Sequence, residues 1–142
     1  MLLIWRATCT TALLPGGVNP VRAAYSGALP FLPSLGGPVN QLVLRAPTNL
    51  TAHISFNISQ TFTVSAVLSS FSHPVPFQPV LFRTGPITLC LTLTNIHGVA
   101  SCNLSYAKSV AIRQNAGRFT ATYFGNGNYR PSIAFGQGII RP

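Results

Sequence analysis

The chain has 142 residues, 47% of them hydrophobic, and contains neither Asp nor Glu, while one Lys and eight Arg give it a formal charge of +9. That length supports one domain with a substantial core and is too short for two complete ones. The lack of carboxyl side chains closes two-carboxylate, Ser-His-Asp and carboxylate-metal chemistry. The cations Arg6, Arg22, Arg45, Arg83, Lys108, Arg113, Arg118, Arg130 and Arg141 are scattered singly. Nucleic-acid binding uses a patch or stripe, so this field implies only weak attraction for polyanions.

Residues 1–20 show no regular period. Met1–Trp5 is apolar, but Arg6 interrupts it, and Thr11–Pro15 is too short for the core of a signal peptide. No apolar run approaches the roughly 18 residues of a membrane-spanning helix. Residues 21–46 carry a motif that returns near the other end of the chain. Tyr25, Gly27, Phe31, Pro33 and Ser34 recur as Tyr123, Gly125, Tyr129, Pro131 and Ser132, each pair 98 residues apart. A repeat of that length suits one β-sandwich domain. The chain is expected to hold the tail of one repeat (21–46), with an extended run at Gln41–Arg45 and Gln41–Pro47 as linker stiffened by Arg45 and Pro47, and then a whole repeat (47–142).

Within that repeat, Thr61–Ser70 alternates apolar Phe62, Val64, Ala66 and Leu68 with Thr61, Thr63, Ser65 and Val67, the period of a strand buried on one face. Other extended runs are Asn49–Phe56, Pro79–Arg83, Ile87–Thr94, Val99–Ser105, Arg118–Phe124 and Ile133–Phe135. Turn residues separate them. About seven strands with such spacing predict an all-β antiparallel sandwich. Ser105–Asn115 alone has helical character, but Val110, Ile112 and the lack of a strong cap predict a loop crossing between strands.

Cys90 and Cys102 flank a turn at Asn95-Ile96-His97. If the flanking strands pair across it, Thr94 faces Gly98 and Cys90 lies opposite Cys102, close enough for a cross-strand disulfide. Two buried thiols that never meet are the plainer alternative. A metal site of Cys90, His97 and Cys102 lacks the short Cys-x(2–4)-Cys clip and a fourth ligand. Cys9 is left unpaired. His53, His73 and His97 fall at a strand edge, a His-Pro turn and a hairpin tip, and no nucleophile-elbow, Walker or dinucleotide glycine pattern occurs. Phe71 and Phe77 flank the His73–Pro76 loop, where they either form an exposed contact patch or fold onto the end of the sandwich.

The segments Pro74–Gly85 (PVPFQPVLFRTG), Gly98–Ser105 (GVASCNLS) and Phe119–Ser132 (FTATYFGNGNYRPS) resemble the bacterial Ig-like repeats that stand in tandem in surface and secreted proteins. The resemblance covers roughly residues 48–138, with 21–45 resembling the end of a preceding copy. It implies an immunoglobulin-like sandwich, and some members carry two cysteines where Cys90 and Cys102 stand. Two departures stand out: Phe77 takes the place of a usual Gly, and Asn126 and Ala28 that of a frequent Asp.

The expected function is therefore that of a non-catalytic extracellular spacer, presentation or adhesion module. Its partners would be neighbouring repeats, with no metal, cofactor or small-molecule substrate. The alternatives are a basic polyanion-binding domain and a degenerate copy of a repeat. One physical consequence is independent of the fold. Acid unfolding ordinarily follows protonation of carboxylates held ionised in the native state. With none present, the melting temperature should stay flat between pH 5 and 3 apart from a small C-terminal contribution. A cooperative loss of circular dichroism in that window would contradict this.

Overall fold

The computed structural model describes residues 5–138. Met1–Ile4 of the apolar start and Arg141 lie outside the described residues. The chain forms two compact units, Met1–Arg45 and Ala46–Pro142.

In the first unit, β1 (Gly17–Tyr25) and β2 (Ser34–Val43) form an antiparallel hairpin. The strand starts earlier than the sequence period suggests, because Gly17, Val18 and Asn19 find partners in Val43, Leu42 and Gln41. Gln41–Val43 of the extended run Gln41–Arg45 are thus strand, their backbone groups satisfied by the ladder, and only the rest of the Gln41–Pro47 stretch lies outside it. The Asn19 amide secures the start of β1 by donating to the carbonyls of Pro15 and Gly17. Further along, Val21 pairs with Val39 and Ala23 with Gly36, so Gly37 and Pro38 together oppose Arg22. This is a β-bulge, and Gly37 meets its backbone demand with φ of +93°.

The second unit is an all-β sandwich. Its central strand β4 (Phe62–Ser70) buries every second side chain, Phe62, Val64, Ala66 and Leu68, as the alternation requires. One edge of β4 pairs with β3 (Asn49–Phe56), while its other edge takes the two-residue β5 (His73–Pro74) and then β8 (Val99–Asn103). The facing sheet has the order β10 (Ser132–Gln137), β9 (Arg118–Tyr123), β6 (Pro79–Thr84), β7 (Ile87–Leu93). All seven anticipated runs are strands, and only the short β5 is added. Val80, Phe82, Phe119, Ala121 and Tyr123 meet the β4 side chains in the core. Each fully buried Val, Leu or Phe contributes about 1.5–3 kcal/mol.

The crossing expected as a loop is a helix, α1 (Tyr106–Gln114). Ser105 caps it, its extended backbone letting Oγ accept from the Lys108 amide. Gly117, at φ +74°, closes the other end by donating to the Ile112 carbonyl. Packing overrides the weak propensity of Val110 and Ile112: Ile112 is fully buried in the core, and the buried Ser109 hydroxyl accepts from the Phe62 amide of β4. The helix thereby satisfies a strand N–H that no neighbouring strand reaches.

Candidate functional site

The repeated motif builds a closing loop at the end of the second unit. Gly125 has φ of +78°, and a Cβ there would stand 2.8 Å from the Pro131 nitrogen and the Tyr129 oxygen, which explains glycine at this position. Next to it, Asn126 accepts at Oδ1 from the amides of Asn128 (2.8 Å) and Tyr129 (2.9 Å). These are acceptor roles an aspartate would also fill, so the loop keeps its geometry without a carboxylate. The Asn126 amide and the Tyr123 hydroxyl both donate to Gln78 Oε1, tying the loop to the start of β6.

The same loop holds the start of the unit. Ala46 donates to the Asn128 carbonyl and accepts from the Arg130 amide, making a parallel bridge at Tyr129. Thr48 Oγ1 donates to the Arg130 carbonyl and lies 2.9 Å from Ser132 Oγ. Tyr129 is half-buried against the core. The residues picked out by recurrence are therefore those that join the first and last strands.

Beside its loop, the earlier copy of the motif has the same hydrogen-bond register. Tyr25 pairs with Ser34 as Tyr123 pairs with Ser132, and Ala23 with Gly36 as Ala121 with Ala134. Ala28 donates to the Phe31 carbonyl just as Asn126 donates to that of Tyr129, and Gly27 also has positive φ. The surroundings differ. Tyr123 is 1% exposed in the core and beside β6, whereas Tyr25 is 45% exposed, and among the described residues of the first unit no strand lies on the β1 edge equivalent to the one β6 occupies on β9. Burial raises the pKa of Tyr123 above its ordinary value, with a smaller contribution from Tyr129. The neutral phenol is thus favoured in the fold. Stability should hold below about pH 10, where the unfolded phenol titrates, and decline as pH rises towards the folded pKa. In alkaline urea titrations, Tyr123→Phe should flatten that decline, and an unchanged slope would contradict the assignment.

Cys90 and Cys102 form a disulfide, but not across one hairpin. Cys90 lies on β7 beside Phe82, and Cys102 lies on β8 beside Val64, so the bond links the two sheets at their β7/β8 edge. The Cα separation is 6.7 Å, wider than the roughly 4.5 Å of a directly opposed pair. The expected register fails because Thr94 is anchored between the sheets. Its hydroxyl donates to the Val75 carbonyl and accepts from the Gln78 amide, and the chain then turns through Asn95–Gly98 into the other sheet. With the two sulfurs bonded to each other, neither is a thiolate available to a metal, and among the described residues no group of three His or Cys side chains gathers. His53, His73 and His97 are all exposed, as is the free Cys9.

Phe71 and Phe77 are both exposed, not folded onto the sandwich end. The turn between β4 and β5 is Phe71-Ser72, with φ of +48° and +66°, a conformation usually given to Asn-Gly. Phe77 has φ of +56°, the physical reason glycine suits this place. Comparison with protein-family models, with curated proteins and with solved structures finds no match for this chain.

Proposed function

We propose that the chain is a non-catalytic, extracellular Ig-like module that spaces or presents neighbouring repeats in a bacterial surface protein. The observation that carries this reading is the 98-residue recurrence, expressed as two closing hairpins whose pairing matches over Ala23–Tyr25 and Ala121–Tyr123 before the bulge in β1–β2 shifts it, one completed by a sandwich and one with its equivalent face exposed. Strand order is compatible with it: β3-β4-β8 faces β10-β9-β6-β7, which differs from the four-plus-three constant-type sandwich in having the seventh strand at the edge of the second sheet instead of the first. The disulfide fits an oxidising compartment.

The test is a duplication. Residues 46–116 placed directly before residue 19 put β1 and β2 at the positions of β9 and β10. A second sandwich should then form, adding about 60–80 kcal/mol of unfolding enthalpy, the value for a domain of about 100 residues. The amides of Arg22–Ala24 should gain protection from exchange. Added residues that stay unfolded, with Tyr25 as accessible as before, would defeat the repeat reading.

A more specific reading, adhesion, draws on the Phe71–Phe77 loop. Two exposed aromatics and three non-glycine residues at positive φ lie within seven positions. Such strain persists only where the surroundings enforce it, and it concentrates at binding segments.

A further inference from the structure

The strand alternation accounts for the inner face of the β10-β9-β6-β7 sheet, yet its outer face is apolar too. Register places Ile133, Thr122, Leu81 and Leu91 in one row across all four strands. Pairing places Leu93 beside Pro79 and Phe135 beside Thr120 on the same side. Leu91 is 64% and Phe135 77% exposed, so apolar side chains of β10 and of β6–β7 stand open to solvent on either side of the β9 threonines, an exposed apolar surface of the kind that marks a contact. The surface is bordered by two guanidiniums. Arg83 pairs with Thr120, and Arg118 lies two residues from Thr120 on the same face, a diagonal placement of like charges in which, among the described residues, the Arg83 guanidinium meets only the Pro86 carbonyl and no anion. Beside Arg118 a cavity of about 290 Å³ opens, lined by Asn115, Thr120, Phe135 and Gln137. That is at the lower edge of the size of small-molecule sites and leaves room for an inserted side chain.

The chain has no Asp or Glu, so neither it nor a second copy of it can neutralise Arg83 and Arg118 with a side chain. The rows also contain Thr88, Thr120 and Thr122, whose hydroxyls need partners when covered; a polypeptide supplies them and lipid tails do not. From this we infer that the outer face of the β10-β9-β6-β7 sheet docks an acidic protein partner, which sets a carboxylate in the recess at Arg118 and an apolar strip over Ile133, Leu81 and Leu91. The inference stands apart from the repeat reading, since it uses only this sheet.

The test is a titration of the isotope-labelled full chain with a short strand peptide alternating Glu and Val, followed by amide shifts. Saturable changes confined to β6, β7, β9 and β10 are expected, with binding at least about tenfold weaker for Arg83→Gln/Arg118→Gln and for a peptide with Gln in place of Glu. Arg130→Gln, an exposed cation outside this face, should leave binding unchanged. Equal binding of the Gln peptide, equal loss in Arg130→Gln, or shifts centred on the β3-β4-β8 sheet would overturn the proposal. So would chain that sediments with phosphatidylserine vesicles while ignoring the peptide, or a dimer of the chain abolished by Leu91→Ser.

Discussion

Replacing both Cys90 and Cys102 with Ala is expected to lower the stability of the second unit by about 3 kcal/mol, the chain-entropy value for a loop of this size. That is a large fraction of the roughly 5–15 kcal/mol available to a domain. Its position makes the effect structural as well as entropic. β7 and β8 end their sheets on this side and no backbone ladder joins them, so the covalent bond holds the edge closed together with the Thr94 anchor and the Lys108 Nζ bond to the Leu89 carbonyl. The measurement is the urea midpoint of the wild type, of the wild type under reductant, and of the double variant. The last two should coincide, well below the first. A shift under about 1 kcal/mol would mean that the non-covalent contacts alone hold the edge.

Gly125→Ala should cost about 2–4 kcal/mol. Adopting φ of +78° costs an alanine about 1–2 kcal/mol. The remainder comes from its Cβ meeting backbone atoms of Tyr129 and Arg130–Pro131, which have no rotamer to escape into. Displacing them also loosens the Ala46 and Thr48 bonds to the same loop. Gly127→Ala, two residues away with nothing within 4 Å of the added carbon, is the control and should fall within about 0.5 kcal/mol of wild type. If both variants unfold at the same denaturant concentration, the closing loop does not bear on stability.

Much of the second unit was legible because its strands are one-sided: Phe62 to Leu68 leave no other reading, and Gly, Pro and Asn mark the breaks. The helix was missed for a local reason. Val110 and Ile112 argue against it in isolation, while the compensations, Ile112 in the core and Ser109 capping the Phe62 amide, are contacts with distant residues. For the cysteines the pairing was readable and the register was not, since the adjacency of β7 and β6 depends on Thr94 reaching Val75 and Gln78. The Phe71-Ser72 turn was hidden by residues that seldom adopt positive φ. The outer sheet face was hidden because Leu91, Leu93, Ile133 and Phe135 lie in runs whose inward and outward faces only the strand register decides.

The anchoring of Ala46 and Thr48 on the closing loop also fixes how the second unit carries load. β3 leaves that anchor beside Ser132 and reaches Ile54 near Gly138, so β3 and β10 run side by side in the same direction. A pull on the preceding residues and on those following β10 therefore acts at opposite ends of the sandwich. The Ala46–Asn128, Ala46–Arg130 and Thr48–Ser132 contacts lie across the line of tension and are sheared together instead of opening one after another. Rupture in this geometry demands a high force over a short extension, so the unit stays folded under tension until these bonds fail as a group.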